Sequence, residues 1–354
     1  MATDPSALIE ALSAVADLWR DPEYPDRAEA VEKTLALPNT FTEEAVAFAI
    51  NQQVALLTSD ALHAWMAGRR TTHPRPVSVL NAGNIPFVEL QDWLAVLLTG
   101  HSYRGTLSSR SPYLLPAFAA GVAARGVELP SVFGPLARSL TPDSAVIASG
   151  GPDALAAVAR MAEERGIPGE RQLLRGHRYS VALLSGREGE DELERLAEDT
   201  LLHEGRGCRN IAIIWAPAGQ QPDALLEAFA AFRGVFPAHP KTPMTLKMRQ
   251  AMLHAVGVPH AYGEDLSFLL SKGAPEEQEP GHVRWAEYES MEEVTAWLQA
   301  EVDAIQLVAA SPGTLGLLPE LPCVLSDFGE AQRPALDWRP DQVDTIDFLV
   351  RAGR

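Results

Sequence analysis

The chain has 354 residues, with 29 basic and 47 acidic side chains and a formal net charge of −18. At about 100 to 200 residues per domain, this length favours two domains. A composition that is 46% hydrophobic and 21% charged excludes a mainly disordered or collagen-like chain. The acidic balance and the lack of a basic stripe argue against a nucleic-acid partner.

The number of cysteines and the lack of a signal-peptide pattern or an apolar membrane span indicate the cellular compartment. Only two cysteines occur, Cys208 and Cys323, which is too few for a disulfide framework. No CxxC or paired histidine spacing is present, so we predict no metal site. The segment Met1 to Ala11 lacks the basic start and apolar run of a signal peptide, and no stretch approaches the roughly 18 apolar residues of a membrane span. We therefore expect a cytoplasmic protein without a membrane span.

In chain order, the first seventy residues read as helices. Asp4 and Pro5 form a cap and a first-turn proline, and Thr42 opens an apolar-periodic stretch that reaches about Met66. From Pro76 onward, short β-branched runs alternate with helical segments. The first such set consists of Val77–Leu80, Val88–Leu98, Tyr103–Leu107, Leu114–Ala124, Ala145–Ala148 and Asp153–Glu164. This alternation predicts a mostly parallel sheet covered by helices.

A second set of strands and helices follows the segment Leu173–Arg178. It consists of Tyr179–Leu184, Glu190–His203, Ile211–Trp215, Ala224–Phe232, Pro243–Ala255, Leu266–Leu270, Val283–Tyr288, Met291–Ala304 and Ile305–Ala309. We therefore predict an N-terminal helical and cofactor-binding domain over residues 1–178 and a second domain over 179–320. Residues 321–354 are expected to pack back on one of the domains.

One cysteine lies in a segment suited to nucleophilic chemistry. Cys208 stands in Gly205-Arg206-Gly207-Cys208-Arg209, between a predicted helix and a predicted strand. Glycines allow a sharp turn, and neighbouring arginines favour a thiolate, which would attack a carbonyl or thioester carbon. The alternative, a cysteine that packs as a small hydrophobe, stays open for Cys208 and is the better reading of Cys323, which has apolar neighbours.

An asparagine is a candidate donor to an oxyanion. Asn84 follows the predicted strand Val77–Leu80 in the string Asn81-Ala82-Gly83-Asn84-Ile85-Pro86. The carboxyl ends of strands in open α/β sheets are where ligands bind, and a side-chain amide there is placed to donate to an oxyanion. A role as an ordinary turn residue is the alternative.

Four strings and the tail resemble a known family. NAGNIP (residues 81–86), LSSRSP (107–112), GHRYSVAL (176–183) and GRGCRN (205–210) occur in the order and approximate spacing of the acyl-CoA reductases. That family includes the fatty acyl reductase of bacterial luminescence and belongs to the aldehyde dehydrogenase superfamily. The ending, FGEAQRPALDW (328–338) and VDTIDFL (343–349), is similar to that of the shorter members, so the resemblance runs from about residue 76 to the end.

The resemblance implies a fold, an activity and two catalytic residues. The implied fold is aldehyde dehydrogenase-like α/β, with two Rossmann-like three-layer domains whose sheets are mostly parallel. Cys208 matches the cysteine that takes the acyl group from coenzyme A as a thioester, and Asn84 matches the asparagine of the oxyanion hole. The implied activity is reduction of an acyl-CoA, with a fatty acyl-CoA as the favoured substrate, to the aldehyde with NADPH or NADH.

One departure from the superfamily favours reduction over oxidation. Aldehyde-oxidising members carry a general-base glutamate shortly before the glycine that matches Gly176. Here the matching segment, residues 172–175, reads Gln-Leu-Leu-Arg and holds no carboxylate. Without a positioned base, hydrolysis of the acyl-enzyme is expected to be slow, which leaves exchange with coenzyme A and reduction.

The cofactor contacts are predicted from the same resemblance. Thr106 replaces the superfamily lysine that contacts the adenosine ribose, and Arg104 or Arg110 is the candidate replacement. An arginine there would suit the 2′-phosphate, which favours NADPH slightly over NADH. Ser108 and Ser109, in the string LSSRSP, are the other contacts predicted from the resemblance. Gly150 and Gly151 are predicted separately, from their place in a turn between a strand and a helix, where backbone N–H groups are candidates for the pyrophosphate.

Two other functions stay open at the level of sequence. An acyl-binding or acyl-transferring relative that has lost hydride chemistry would keep Cys208 and tolerate Thr106. A non-catalytic partner subunit would carry an inert Cys208. The expected partners are acyl-CoA, with coenzyme A as substrate or product, and either a second copy of the chain or an acyl-transfer protein.

Overall fold

The computed structural model describes residues 4–354, which form two compact units. The first unit comprises residues 4–39, Val46–His177 and Ala335–Arg354, and the second comprises Thr40–Ala45 and Arg178–Pro334. Within residues 4–354, no helix is both long and apolar enough to cross a membrane.

The first unit contains five strands and most of the N-terminal helices. Its strands are β1 (Pro76–Leu80), β2 (Ser102–Thr106), β3 (Ser131–Phe133), β4 (Ala145–Ser149) and β5 (Gln172–Arg175). Its helices are α1 (Pro5–Trp19), α2 (Pro25–Leu35), α3 (Glu43–Leu56, from Val46 onward), α4 (Ser59–Met66), α5 (Leu90–Leu98), α6 (Leu114–Ala123), α7 (Leu136–Ser139), α8 (Pro152–Glu164) and, from the C-terminal segment, α14 (Thr345–Ala352).

The sheet of the first unit is wholly parallel, in the order β3-β2-β1-β4-β5. The chain runs outward from β1 to β2 and β3 and then returns to β4 and β5 on the other side of β1. The strand order therefore reverses between β1 and β4, and ligands of open α/β sheets bind outside the carboxyl ends of the strands at such a point. Leu80 pairs with both Thr106 and Ala148, so the loops after β1, β2 and β4 leave from one edge.

Caps and aromatic packing explain the helical start of the chain. The Asp4 side chain accepts a hydrogen bond from the Ser6 N–H at 3.1 Å, which confirms the predicted cap at Asp4 before the first-turn Pro5. The predicted helix from Thr42 to Met66 is instead two helices, because Thr58 caps α4 by accepting from the Ala61 N–H. Trp19, at the end of α1, is fully buried and packs edge-on against Phe118 of α6, with ring centroids 5.2 Å apart.

The second unit contains seven strands and five helices within the described chain. Its strands are β6 (Tyr179–Leu183), β7 (Ile211–Pro217), β8 (His260–Tyr262), β9 (Leu269–Lys272), β10 (His282–Tyr288), β11 (Ile305–Ala310) and β12 (Val324–Ser326). Its helices are α9 (Glu190–Leu201), α10 (Asp223–Val235), α11 (Thr242–Val256), α12 (Met291–Ala300) and α13 (Pro312–Leu315).

The second sheet has the order β12-β11-β6-β7-β10-β9-β8 and is parallel except for the pairing of β8 with β9. Two mostly parallel sheets with intervening helices confirm the predicted α/β class. Strands β3, β5, β8 and β12 are absent from the sequence-based prediction; each has only three or four residues. Strand β5, at the edge of the first sheet, overlaps the segment Leu173–Arg178 that lies between the two predicted sets.

Candidate active site

The loop after β1, which carries Asn84, is anchored at both of its ends. At its start, the Asn81 amide nitrogen donates to the Tyr103 hydroxyl at 2.7 Å and to the Thr106 carbonyl at 3.1 Å. At its end, the fully buried Phe87 stacks on Trp19 with ring centroids 5.6 Å apart. Asn84 lies half-buried between these anchors. A loop fixed in this way holds a side-chain amide in place near the carboxyl edge of the sheet.

Gly83 allows this loop to contact the next one. A Cβ atom at Gly83 would lie 1.9 Å from the Ser108 hydroxyl oxygen, so no larger residue fits there without movement. The same Ser108 oxygen accepts a hydrogen bond from the Arg110 N–H at 3.2 Å, which closes the turn that carries Ser109 and Arg110. Both of these residues are exposed. The structure thus packs the Asn84 loop against the predicted cofactor string.

The candidate replacements for the ribose-binding lysine differ in their surroundings. Thr106 ends β2, and its hydroxyl donates to the Gly134 carbonyl at 2.8 Å. Arg104 lies two residues earlier, and its guanidinium donates to the Ser139 carbonyl at 3.3 Å. Arg110, by contrast, has an exposed position in the loop beyond the strand.

Gly150 and Gly151 lead from β4 into α8. Gly151 is the N-cap residue of this 13-residue helix, and no side chain caps the first turn. A Cβ atom at Gly151 would meet nothing within 4 Å, so the backbone is open to close approach. The Gly150 N–H is already bonded to the Arg175 carbonyl at 3.2 Å. Uncapped N–H groups at a helix start suit a phosphate, although the acidic Asp153 stands in the same turn.

A buried carboxyl group precedes α5. Glu89 is 4% exposed, and its Oε1 atom has no hydrogen-bond partner within the described residues. Burial raises the pKa of Glu89 to about 8, against a partial opposing effect of its own backbone N–H. The side chain is therefore mainly protonated at neutral pH.

A second carboxyl group of this region is held in an ion pair. The Arg175 Nη1 atom, at the end of β5, donates to both Asp92 carboxylate oxygens at 2.9 and 2.8 Å. Both side chains are largely buried, at 8% and 13% exposure. Arg175 Nη2 also donates to the Thr345 hydroxyl at 2.7 Å, at the start of α14. The Asp92 carboxylate is thus engaged and is not available as a base.

In the second unit, Cys208 lies in a tight turn before β7. The Asn210 N–H donates to the Gly207 carbonyl at 3.0 Å, and the Gly207 N–H donates to the Asn210 side-chain oxygen at 2.8 Å. The Cys208 carbonyl accepts from the Ser180 hydroxyl of β6 at 2.9 Å. The half-buried cysteine therefore sits at the amino end of β6 and β7 on a fixed backbone.

A left-handed segment leads into this turn. His203, Glu204 and Gly205 have φ angles of 55°, 58° and 66°. At Gly205 a Cβ atom would lie 3.0 Å from the Gly281 nitrogen, which explains the glycine there. The buried Glu204 carboxylate accepts from Arg233 Nη1 at 3.0 Å and also from the Thr242 hydroxyl. These two contacts stabilise a backbone conformation that non-glycine residues rarely adopt.

Cys208 interacts with the positive charge of Arg209. Burial lowers the pKa of Arg209, while the negative charges of Cys208 and Asp199 oppose that shift. Since the interaction is mutual, the Arg209 charge favours ionisation of Cys208. Burial, with a smaller effect of Arg209, lowers the pKa of His203 to about 3, so this imidazole is neutral at physiological pH. His203 is thus a poor proton acceptor.

The other cysteine has a different environment. Cys323 is 9% exposed, and burial raises its pKa to about 11, with Arg178 opposing. Among residues 4–354, no group of three or more His, Cys, Asp or Glu side chains is arranged to hold a metal ion.

Comparison with solved structures reveals the fold. Aldehyde dehydrogenase 21 of Physcomitrella patens, in complex with the reaction product succinate, is 11% identical with a TM-score of 0.71, over 99% of this chain and 85% of that one. The aldehyde dehydrogenase of Mycobacterium tuberculosis complexed with NAD+ is 15% identical, with a TM-score of 0.66, over 91% and 77%. That of Bacillus cereus, also an NAD+ complex, is 13% identical, with a TM-score of 0.69, over 91% and 76%. The chain has the aldehyde dehydrogenase fold.

This result confirms the predicted fold class, while the finer family stays a prediction. No protein-family model matches the sequence, and no curated protein matches it. Identities of 11 to 15% establish a common fold only.

Within that fold, the structure divides the predicted residues between the two units. Asn84, Ser108 and the pair Gly150 and Gly151 lie in the first unit, on loops at or near the carboxyl edge of its sheet, as do the exposed Ser109 and Arg110. Thr106 is the last residue of β2 in the same unit. Arg104 is in the same unit but inside β2. Cys208 lies in the second unit.

Three residues around the cysteine turn have no role assigned from the sequence. These are Ser180, Glu204 and Asn210. Asn210 follows the cysteine by two residues in the quoted string GRGCRN, which is the one local signal that points to it. Ser180 likewise stands in the quoted string GHRYSVAL, but Ser180 and Glu204 are distant in sequence from most of their partners, so only the folded structure shows their contacts.

Proposed function

We propose that the protein reduces an acyl-CoA, of the fatty acyl class, to the aldehyde with NADPH or NADH through a thioester on Cys208. The observation that carries this proposal is the fixed turn around Cys208, beside Arg209 and within an aldehyde dehydrogenase fold. A half-buried thiol beside a guanidinium group and within a turn fixed by hydrogen bonds has the properties of a covalent nucleophile.

The first half of the reaction transfers the acyl group to the protein. The Cys208 thiolate attacks the thioester carbon, a new C–S bond forms, and the bond to the coenzyme A sulfur breaks, so coenzyme A leaves as a thiolate that takes a proton from solvent. In this scheme the Asn84 amide donates a hydrogen bond to the oxygen of the tetrahedral intermediate. The anchored loop around Asn84 supports that role because a preorganised donor loses little freedom on binding.

The residues of the first unit fit a nicotinamide nucleotide. The open backbone at Gly151 and the uncapped start of α8 would hold its phosphates, and the exposed Arg110 is better placed than Arg104 for a 2′-phosphate because Arg104 is engaged inside the sheet. When bound, NAD(P)H supplies the hydride that reduces the thioester carbon. Cys208 then leaves that carbon as a thiolate, which frees the aldehyde.

Two largely buried carboxyl groups and one segment without a carboxylate, all in the first unit, support reduction over hydrolysis. The segment of residues 172–175 holds no carboxylate, Asp92 is paired with Arg175, and Glu89 is mainly protonated at neutral pH. None of these provides a general base that would activate water.

Mass spectrometry tests the proposal. Protein incubated with a long-chain acyl-CoA and no reductant should gain one acyl group on the peptide that contains Cys208, and later addition of NADPH should remove that group and release the aldehyde. Cys208→Ala should show neither event, whereas Cys323→Ala should behave as the wild-type protein does. Absence of an adduct, or full reductase activity in Cys208→Ala, contradicts the mechanism.

An acyl-transferring relative without hydride chemistry is the second candidate. The observation in its favour is Thr106, which stands in place of a cationic ribose contact and whose hydroxyl is already bonded to Gly134. Titration with NADPH and NADH separates the two candidates. If neither nucleotide binds at millimolar concentration while Cys208 is still acylated, the transferase is supported and the reductase is excluded.

A further inference from the structure

The side chain of Asn210 connects the cysteine turn to the end of a helix. Its oxygen accepts from the Gly207 N–H at 2.8 Å. Its amide nitrogen donates to three carbonyl oxygens at the C-terminal end of α9, those of Asp199, Thr200 and Leu202, at 3.2, 3.2 and 2.8 Å. One buried side chain, 2% exposed, thus contacts both the turn and the helix.

These four contacts need both the acceptor and the donor group of an asparagine, and the two N–H groups of its amide are shared among the three carbonyl oxygens. The oxygen has to accept and the nitrogen has to donate, because the turn presents an N–H group and the helix end presents carbonyl groups. Aspartate keeps the shape but has no N–H to donate, and serine is too short to reach both sides. The helix-end carbonyls otherwise lack intrahelical partners.

The backbone of Asn210 adds to the same arrangement. Its N–H closes the turn on the Gly207 carbonyl at 3.0 Å, and its carbonyl accepts from the Ser180 N–H at 3.3 Å. Ser180 in turn donates its hydroxyl to the Cys208 carbonyl at 2.9 Å. Cys208 therefore lies between two residues whose positions are set by α9 and by β6.

We propose that Asn210 is a positioning residue for Cys208, which holds the thiol and the backbone N–H of Cys208 in the orientation that acyl transfer requires. The expected effect on kcat rests on the proposed function, whereas the hydrogen bonds that hold the turn do not. Small displacements of a nucleophile cost large factors in rate because attack requires aligned reacting atoms. The effect of losing the side chain should therefore fall on kcat and not on nucleotide binding.

Two variants test the proposal. In Asn210→Ala the folded enzyme should retain the KM for NADPH within about twofold, while kcat falls by roughly tenfold or more, as expected for a displaced nucleophile. In Asn210→Asp, a buried negative charge is added near Cys208, so the pH midpoint of Cys208 alkylation by iodoacetamide should rise by about one unit. Thr34→Val is the control, since it removes one fully buried hydrogen bond, from the Thr34 hydroxyl to the Ala30 carbonyl, in the first unit.

The outcomes separate this proposal from the proposed function. If no acyl adduct forms on wild-type Cys208, the reductase fails, yet the alkylation profile still reports on Asn210. If the adduct forms and the folded Asn210 variants keep wild-type kcat and the wild-type alkylation profile, Asn210 has only a structural role and the proposal is overturned.

Hydrogen exchange of the wild-type protein gives a test that needs no variant. The Gly207 amide should exchange as slowly as the amides of β7, because Asn210 accepts its hydrogen in a buried position. Exchange of that amide at the rate of an exposed loop would show that the side chain does not hold the turn, and would overturn the proposal even if both variants failed to fold.

Discussion

Arg175 and Asp92 form a buried two-oxygen ion pair that joins the end of β5 to α5, with N–O distances of 2.9 and 2.8 Å. Asp92→Ala leaves the guanidinium buried without its counter-charge, and we expect the free energy of unfolding to fall by about 3 to 5 kcal/mol. Urea unfolding measures this. Asp347→Ala is the matched control, because Asp347 pairs with Arg69 at 2.7 Å but is 49% exposed. A loss of under about 1 kcal/mol is expected there, and equal losses in the two variants would contradict the argument.

The Arg175–Asp92 pair also shows which structural features a local sequence pattern does not predict. The predicted strand at Val77–Leu80, the cap at Asp4 and the helix Asp153–Glu164 depend on local patterns, and the structure contains each of them within a residue or two. Strand β5 is not predicted because its last residue is an arginine. Arg175 is buried because it pairs with Asp92, which lies 83 residues away in the sequence. No local pattern carries that information.

The same limit applies to the candidate site. The glycine and arginine neighbours of Cys208 and the place of Asn84 after a strand point to these two residues, with the resemblance supplying the roles of both. The contacts that hold Cys208 depend on the carbonyls at the end of α9 and on Ser180 of β6, which only folding brings to the turn. The contacts that fix the cysteine turn are therefore not readable from a single sequence.

Glu89 should make stability depend on pH. Its pKa is about 8 in the folded protein, against 4.5 for a glutamate in water. Between pH 4.5 and 8, the Glu89 carboxyl group is protonated in the folded protein and loses its proton on unfolding. The contribution of the protonated group to stability is therefore complete below pH 4.5 and is lost as the pH rises through 8. The loss amounts to about 1.4 kcal/mol per pH unit within that window.

The side chain of Glu89→Gln cannot ionise. The free energy of unfolding of this variant should therefore rise relative to that of the wild type as the pH increases from 4.5 to 8. Urea unfolding at about pH 5, 6.5 and 8 measures the difference. Glu194→Gln, at an exposed position, is the control and should give a difference that does not change with pH. A constant difference for Glu89→Gln as well would show that this carboxyl group is ionised in the folded protein.

The two thiols should differ in reactivity under native conditions. Burial raises the pKa of Cys323 to about 11 from its ordinary value of 9.0, which lowers its thiolate population at neutral pH by roughly a hundredfold. Cys208 is half-buried and lies beside Arg209. We expect iodoacetamide at about pH 7.5 to label Cys208 at least about a hundredfold faster than Cys323, as measured by peptide mass spectrometry.

Denaturation provides the control for this comparison. In urea both cysteines should react at similar rates, and Cys208→Ser should abolish the fast native phase while leaving the slow one. If Cys323 accounts for the fast phase, the assignment of Cys208 as nucleophile loses its chemical support.

Gly205 offers a test of the backbone that leads into the cysteine turn. Its φ angle is +66°, and a Cβ atom there would lie 3.0 Å from the Gly281 nitrogen, whereas at Gly219, with φ +82°, a Cβ atom would meet nothing within 4 Å. Gly219→Ala should therefore cost only the strain of a left-handed alanine, about 1 kcal/mol. Gly205→Ala should cost more than this, because the backbone has to move away from Gly281, and that movement should displace Cys208 and lower kcat. Thermal unfolding and steady-state kinetics measure the two effects. Equal losses of stability in both variants, with kcat unchanged, would show that the close approach to Gly281 does not constrain the turn.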